Sequence, residues 1–115
     1  MFDMFRKRSA IPEMIPEDVQ QRLAQGEKLQ IVDVREPEEY AEAHVPGSLL
    51  IPLGQLAQRM DELPKDTPLV MLCRSGNRSG VAAELLQRAG RNDVTNLRGG
   101  IIAWARSGLP LERGR

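Results

Sequence analysis

Cys73 is the single cysteine of the chain, and its neighbours give it the setting of a nucleophile. It follows the apolar run Leu69-Val70-Met71-Leu72 and opens the stretch Cys73-Arg74-Ser75-Gly76-Asn77-Arg78, behind which a helix is expected to begin near Ser79. A tight turn from a strand into a helix gathers backbone N–H groups around a point where an anion can sit. The dipole of the following helix adds partial positive charge there. Gly76 can take dihedrals that a side chain would forbid. Arg74 and Arg78 are the only charged residues between Asp66 and Glu84, so a positive local field is expected. Such surroundings lower a thiol from about 8.5 to roughly 3.5–7.5, which populates the thiolate near neutrality without a histidine base. The expected chemistry is thiolate attack on a small electrophile held beside the sulfur. It requires the sulfur to face an opening. Taken alone, a cysteine after an apolar run is equally a small core residue, and arginines usually rest on the surface. Their concurrence in one glycine-containing turn favours the reactive reading.

The elements that must position this turn alternate along the chain. Met14-Ile15 reads as a short strand, and Pro16-Glu17-Asp18 opens a helix with proline and acids in its first turn. Val19 and Leu23 give that helix an apolar stripe, and Gly26 ends it. Leu29 to Val34 is a strand apolar enough for burial on both faces, followed by a short helix through Pro37 to Ala41, the turn Val45-Pro46-Gly47 and a strand at Leu49 to Ile51. Leu53, Leu56, Met60 and Leu63 fall at steps of three, four and three, which predicts a helix stopped by Pro64. After the strand Pro68–Leu72, the pairs Val81/Leu85 and Ala82/Leu86 mark a helix to Ala89, ended by Gly90. Val94 to Leu97 is the last strand and Ile101 to Ser107 the last helix. The predicted fold is α/β, a mostly parallel sheet of about five strands with helices on both faces. Ligands of such sheets bind beyond the carboxyl ends of the strands, where Cys73 stands.

Composition narrows the function further. The 115 residues carry 16 Lys+Arg and 16 Asp+Glu, a net charge of zero, with 41% hydrophobic residues. This suits one globular domain, expected over residues 11–115 after a tail at residues 1–10. Nucleic acid is not expected as a partner, because no basic excess is present. No run approaches the eighteen or so apolar residues of a membrane span. Charges at Asp3, Arg6, Lys7 and Arg8 interrupt any secretory core segment. With one cysteine and no intramolecular disulfide, a cytoplasmic location is expected. No His, Cys and Asp cluster suggests a metal, and no cofactor is implied. His44 precedes a Pro-Gly turn and reads as a structural hydrogen-bonder before a general base. Trp104 reads as core.

Four separated motifs in order resemble the rhodanese family of sulfurtransferases: Ile31-Val32-Asp33-Val34-Arg35, His44-Val45-Pro46-Gly47-Ser48, the loop Cys73 to Ser79, and Leu97-Arg98-Gly99-Gly100-Ile101 with Trp104. The likeness runs from about Met14 to Leu111. It implies that Cys73 is the catalytic residue and takes sulfane sulfur from thiosulfate or a persulfide. Arg74, Ser75, Gly76, Asn77 and Arg78 would bind the substrate, and a thiophilic acceptor (cyanide, a small thiol or a protein thiol) would receive the sulfur. Asp33, Arg35 and Ser79 would support the loop. Ala43 and Ser48 stand where the family usually has glycine and alanine, which bears on the turn around His44. Two rivals follow from the same residues. A phosphatase or arsenate reductase would have five residues between cysteine and arginine, whereas four stand here, Arg74 to Asn77. A non-catalytic or carrier module would keep the fold with little turnover.

Overall fold

β4 (Leu69–Leu72) is buried at every position, as a strand covered on both faces must be. It pairs in parallel with β2 (Gln30–Asp33) on one side and β5 (Val94–Leu97) on the other. The two-residue strands β3 (Leu49–Leu50) and β1 (Glu13–Met14) complete a five-stranded parallel sheet in the order β1-β5-β4-β2-β3. These relations come from a computed structural model that describes residues 11–114. The tail expected at residues 1–10 lies outside the described residues. The α/β sheet is the one the alternating elements predict.

Strand alternation divides the core. Leu69, Met71 and Cys73 join Val32, Val34, Ile51, Leu56, Ala82, Ala83 and Leu86 on one face. Val70 and Leu72 point to the other face and meet Val19, Ile31, Leu97, Ile101 and Trp104. The first face is covered by α3 (Asn77–Arg88). The second is covered by α1 (Pro16–Ala24) and α4 (Gly100–Arg106). Fully burying one such aliphatic or aromatic side chain contributes about 1.5–3 kcal/mol, so both layers hold the sheet. Cys73 thus continues the β4 alternation one residue past the strand, onto the α3 side.

α2 (Pro37–Glu42) starts with Pro37 at its first position and a reciprocal cap: Glu39 Oε1 accepts the Glu36 N–H at 2.9 Å. No helix among the described residues is long and apolar enough to cross a membrane.

Two local expectations are corrected. The segment Leu53 to Leu63 is not one helix but two 3₁₀ turns, Leu53–Gln55 and Met60–Glu62. Arg59, at φ −116° and ψ 16°, breaks the helical path between them. Its guanidinium fixes the break by donating to Gln55 Oε1 at 2.7 Å and to Glu62 at 2.8 and 2.9 Å. Leu56 and Leu63 are still buried: the spacing located the inward side chains but not the continuity of the backbone. In α3, the buried stripe is Ser79, Ala82, Ala83 and Leu86, while Val81 is 56% exposed.

Candidate active site

The turn after β4 is built around one sulfur. Gly76 caps α3 in the left-handed region at φ 109°, and there its N–H points back to Cys73 Sγ at 3.1 Å. The Ser79 hydroxyl, one turn into α3, lies 3.3 Å from the same sulfur. From behind, the first amides of α4 take the loop's carbonyls: Ile101 N–H donates to Cys73 O at 2.9 Å and Ile102 N–H to Arg74 O at 3.2 Å. This approach is possible because Gly100, at φ 62°, has no side chain. A Cβ there would overlap the Arg74 carbonyl and lie 2.6 Å from Cys73 O. With its acceptors facing α4, the turn presents N–H groups to the sulfur.

The thiol is held below its ordinary range. Burial is the strongest influence and raises it. A Ser79 hydroxyl turned to the sulfur, with the amides of Ser79, Gly76 and Ser75, more than offsets that. The stabilisation of the thiolate comes from hydrogen bonds more than from the arginines.

Here the structure departs from the sequence-based expectation twice. Arg78 is not a free cation at the mouth of the turn. Its guanidinium makes a two-pronged bond to the Glu39 carboxylate of α2, at 2.8 and 2.9 Å. That pairing is the main reason Glu39 is held down to about 2, against opposition from burial. The positive field expected around the loop is therefore largely balanced on the Arg78 side. Arg74 is exposed, and its side chain has no partner among the described residues. Second, Cys73 is 1% exposed, so its sulfur does not face open solvent. Arg74, Ser75 and Asn77 of the overlying turn are exposed. The sulfur lies beneath a thin, solvent-facing loop.

The other motif residues stand at defined distances from it. Register places Asp33 opposite Leu72. Arg35 binds the Asp33 carboxylate through Nη2 at 2.8 Å and Nε at 3.0 Å, both residues buried. It also donates to Ala43 O at 2.8 Å and Glu39 O at 3.4 Å. Asp33 and Arg35 thereby hold the end of α2 and with it Glu39, the partner of Arg78. His44 is buried with both ring nitrogens engaged, Nδ1 with Tyr40 O at 2.8 Å and Nε2 with Glu112 Oε1 at 3.1 Å. Its ring stacks on Tyr40 at 3.8 Å. At the departing position Ser48, the hydroxyl closes its own turn on Val45 O at 2.7 Å. Trp104 is buried and donates to Pro110 O at 2.8 Å.

Sequence reasoning missed two residues of the site. Glu39 has a local signal, since it stands at the third position of a helix opened by Pro37 and completes its cap. Asn96 was read only as part of a strand. Its side chain joins Ser79 at 2.6 Å and Gly76 O at 3.1 Å; an asparagine, a residue depleted in strands, inside the strand Val94–Leu97 was the available clue. A groove of about 640 Å³ is lined in part by Gly76, Asn77, Asn96 and Arg98.

The fold is an α/β domain with a parallel sheet, and its one thiol stands at a strand-to-helix turn with a turn amide bonded to the sulfur. Residues 15–107 match the model of the rhodanese-like domain, and the chain belongs to the rhodanese family of sulfurtransferases. It is 46% identical over 101 residues to a sulfurtransferase of Allochromatium vinosum, covering 88% of this chain and 94% of that one. It is 41% identical over 96 residues to a Bacillus subtilis protein whose name proposes a sulfur carrier, covering 84% of this chain and 52% of that one. Among solved structures, the thiosulfate sulfurtransferase of Pseudomonas aeruginosa superposes with a TM-score of 0.86 at 32% identity, over 95% of this chain and 21% of that one.

Proposed function

We propose that this chain moves sulfane sulfur from thiosulfate or a persulfide donor to a thiophilic acceptor through a persulfide on Cys73. The observation that carries this reading is the Gly76 N–H on Cys73 Sγ at 3.1 Å, at the mouth of α3. The Cys73 thiolate attacks the outer sulfur of the donor. The new S–S bond forms as the donor's own S–S bond breaks, and sulfite, or a thiolate from a persulfide donor, leaves with the electron pair. The negative charge then rests on the terminal sulfur of Cys73–S–S⁻, where the turn from Arg74 to Arg78 supplies N–H donors. An acceptor nucleophile takes that outer sulfur, and Cys73 returns as thiolate. This is double displacement, with a covalent enzyme intermediate. With one cysteine in the chain, the acceptor brings its own nucleophile.

In this reading Arg74, Ser75, Gly76, Asn77 and Arg78 bind the donor, and Asp33, Arg35 and Ser79 keep the loop in shape. Four residues between Cys73 and Arg78 make a ring suited to one sulfur atom rather than a phosphate, which disfavours phosphatase chemistry. A thiol that must stay reduced suits the cytoplasm. A second reading is favoured by the burial of Cys73 and by the relative named as a sulfur carrier: the chain loads sulfur but hands it to a protein thiol instead of turning over small acceptors.

Intact-mass measurement after incubation with thiosulfate tests the shared step. The expected result is a one-sulfur adduct that is absent in Cys73→Ala and disappears on adding cyanide with release of thiocyanate. An adduct that persists with cyanide and small thiols but is discharged by a protein thiol selects the carrier. A chain that takes up no sulfur, or that instead hydrolyses an aryl phosphate, overturns the proposal.

A further inference from the structure

The hydrogen bonds around Ser79 leave one proton for two acceptors. Asn96 Nδ2 lies 3.1 Å from the carbonyl of Gly76, which can only accept, so the amide's orientation is fixed with nitrogen toward Gly76 and oxygen toward Ser79. Asn96 Oδ1, 2.6 Å from Ser79 Oγ, can in turn only accept, so the serine's single hydroxyl proton points to Asn96. Ser79 then offers the sulfur, 3.3 Å away, an oxygen lone pair. A thiol S–H donates to that lone pair. A thiolate is not helped by it. All three side chains are buried.

We propose that Asn96 is a positioning residue that biases Cys73 toward the thiol by holding the Ser79 hydroxyl proton, and that turning this proton to the sulfur accompanies the reactive state. In the resting arrangement the chain of donors runs from Cys73 S–H to Ser79 Oγ, from Ser79 O–H to Asn96 Oδ1, and from Asn96 N–H to Gly76 O. When Cys73 ionises, its proton leaves to solvent or to the departing thiolate of the donor. The Ser79 proton then swings from Asn96 to the sulfur, joining the Gly76 N–H already there. The charged groups around this chain are Arg78 with Glu39 from α2, Asp33 with Arg35, Arg74 in the turn, and, along the groove beside Asn96, Glu13 with Arg98 and Glu84 of α3. They are the same in every variant below, so they displace all the curves alike. The inference deepens the sulfur-transfer reading and rests on it only for its consequence in rate.

Ultraviolet titration of the Cys73 thiolate across pH tests it and needs no turnover. If sulfur uptake fails while the titrations follow the expected pattern, the function falls and this inference stands. Asn96→Ala releases the Ser79 proton and is expected to raise the thiolate-to-thiol ratio about five-fold at a given pH, the worth of one hydrogen bond. In a Ser79→Ala background the same change is expected to do nothing. Ser79→Ala alone is expected to lower the ratio, because the thiolate loses the hydroxyl that turns to it. Asn96→Val, which suits a strand and cannot accept the Ser79 proton, repeats the titration if Asn96→Ala does not fold. A fall or no change in the ratio for the Asn96 variants, or an equal rise with and without Ser79, overturns the proposal.

Discussion

His44 and Cys73 are both buried and both titratable by type, yet they are opposites in how their lone pairs are used. The His44 ring has a partner on each nitrogen and a tyrosine stacked on its face. The Cys73 sulfur is approached by the Gly76 N–H and the Ser79 hydroxyl, with the amides of Ser79 and Ser75 beside them, and by no cation in direct contact among the described residues. A group whose hydrogen-bonding capacity is fully taken by its own fold is a strut, whatever its intrinsic reactivity. A group that receives donors while keeping a lone pair to share is equipped for bond formation. Residue type drew attention to both positions; the bonding at each one separates them.

The largest effect expected on this contrast is from Cys73→Ala, which should abolish sulfur uptake, read by intact mass, while lowering unfolding free energy by only about 1 kcal/mol for the small volume removed. Next comes Gly100→Ala. A methyl group there collides with the carbonyls that α4 holds, so a loss of about 2–4 kcal/mol in denaturant unfolding is expected. Gly47→Ala, also at positive φ but in open space, should cost only about 1–2 kcal/mol; equal losses at the two glycines would remove the packing explanation. Arg78→Ala should lower kcat/KM for thiosulfate about ten-fold or more and change stability by no more than about 1 kcal/mol, as for other solvent-accessible ion pairs. A variant that unfolds while its folded fraction keeps full rate would make Arg78 a strut as well. His44→Gln should reverse that pattern, with stability reduced by about 1–3 kcal/mol and the rate of the folded protein within two-fold of the original.

The smallest effect concerns pH. Glu39 is held down to about 2 in the folded chain, against an ordinary value of 4.5. Its carboxylate therefore contributes stability that is complete above about pH 4.5 and is lost as pH falls toward 2. Glu39→Gln should be less stable than the parent near neutrality, and the two stability curves should converge in acid.

Much of this was legible in the residues. The apolar runs marked β2 and β4 because a buried parallel strand has no wet face to encode. The turn at Cys73 to Arg78 declared itself because its chemistry is local, and Gly76 takes the positive φ that its place required. What could not be read was settled by partners distant along the chain. Arg78 meets Glu39 across 39 positions, so a field inferred from neighbours in sequence was too positive. Asn96 reaches Ser79 across 17 positions. The burial of the sulfur depends on how α3 and α4 close over the turn, which no run of residues specifies. At Leu53 to Leu63, two 3₁₀ turns satisfy the same inward spacing as a helix, so periodicity alone could not choose between them.

Leu69 and Met71 share a face with Cys73, and Val70 and Leu72 do not. Reactivity is consequently a matter of odd and even. Inserting or deleting a single residue in β4 would carry the thiol through the sheet to the side of Trp104, away from Ser79 and Gly76, without changing one atom of the motif. Chains that keep the whole string from Cys73 to Ser79 but change the length of the preceding strand by one residue should therefore stay chemically silent.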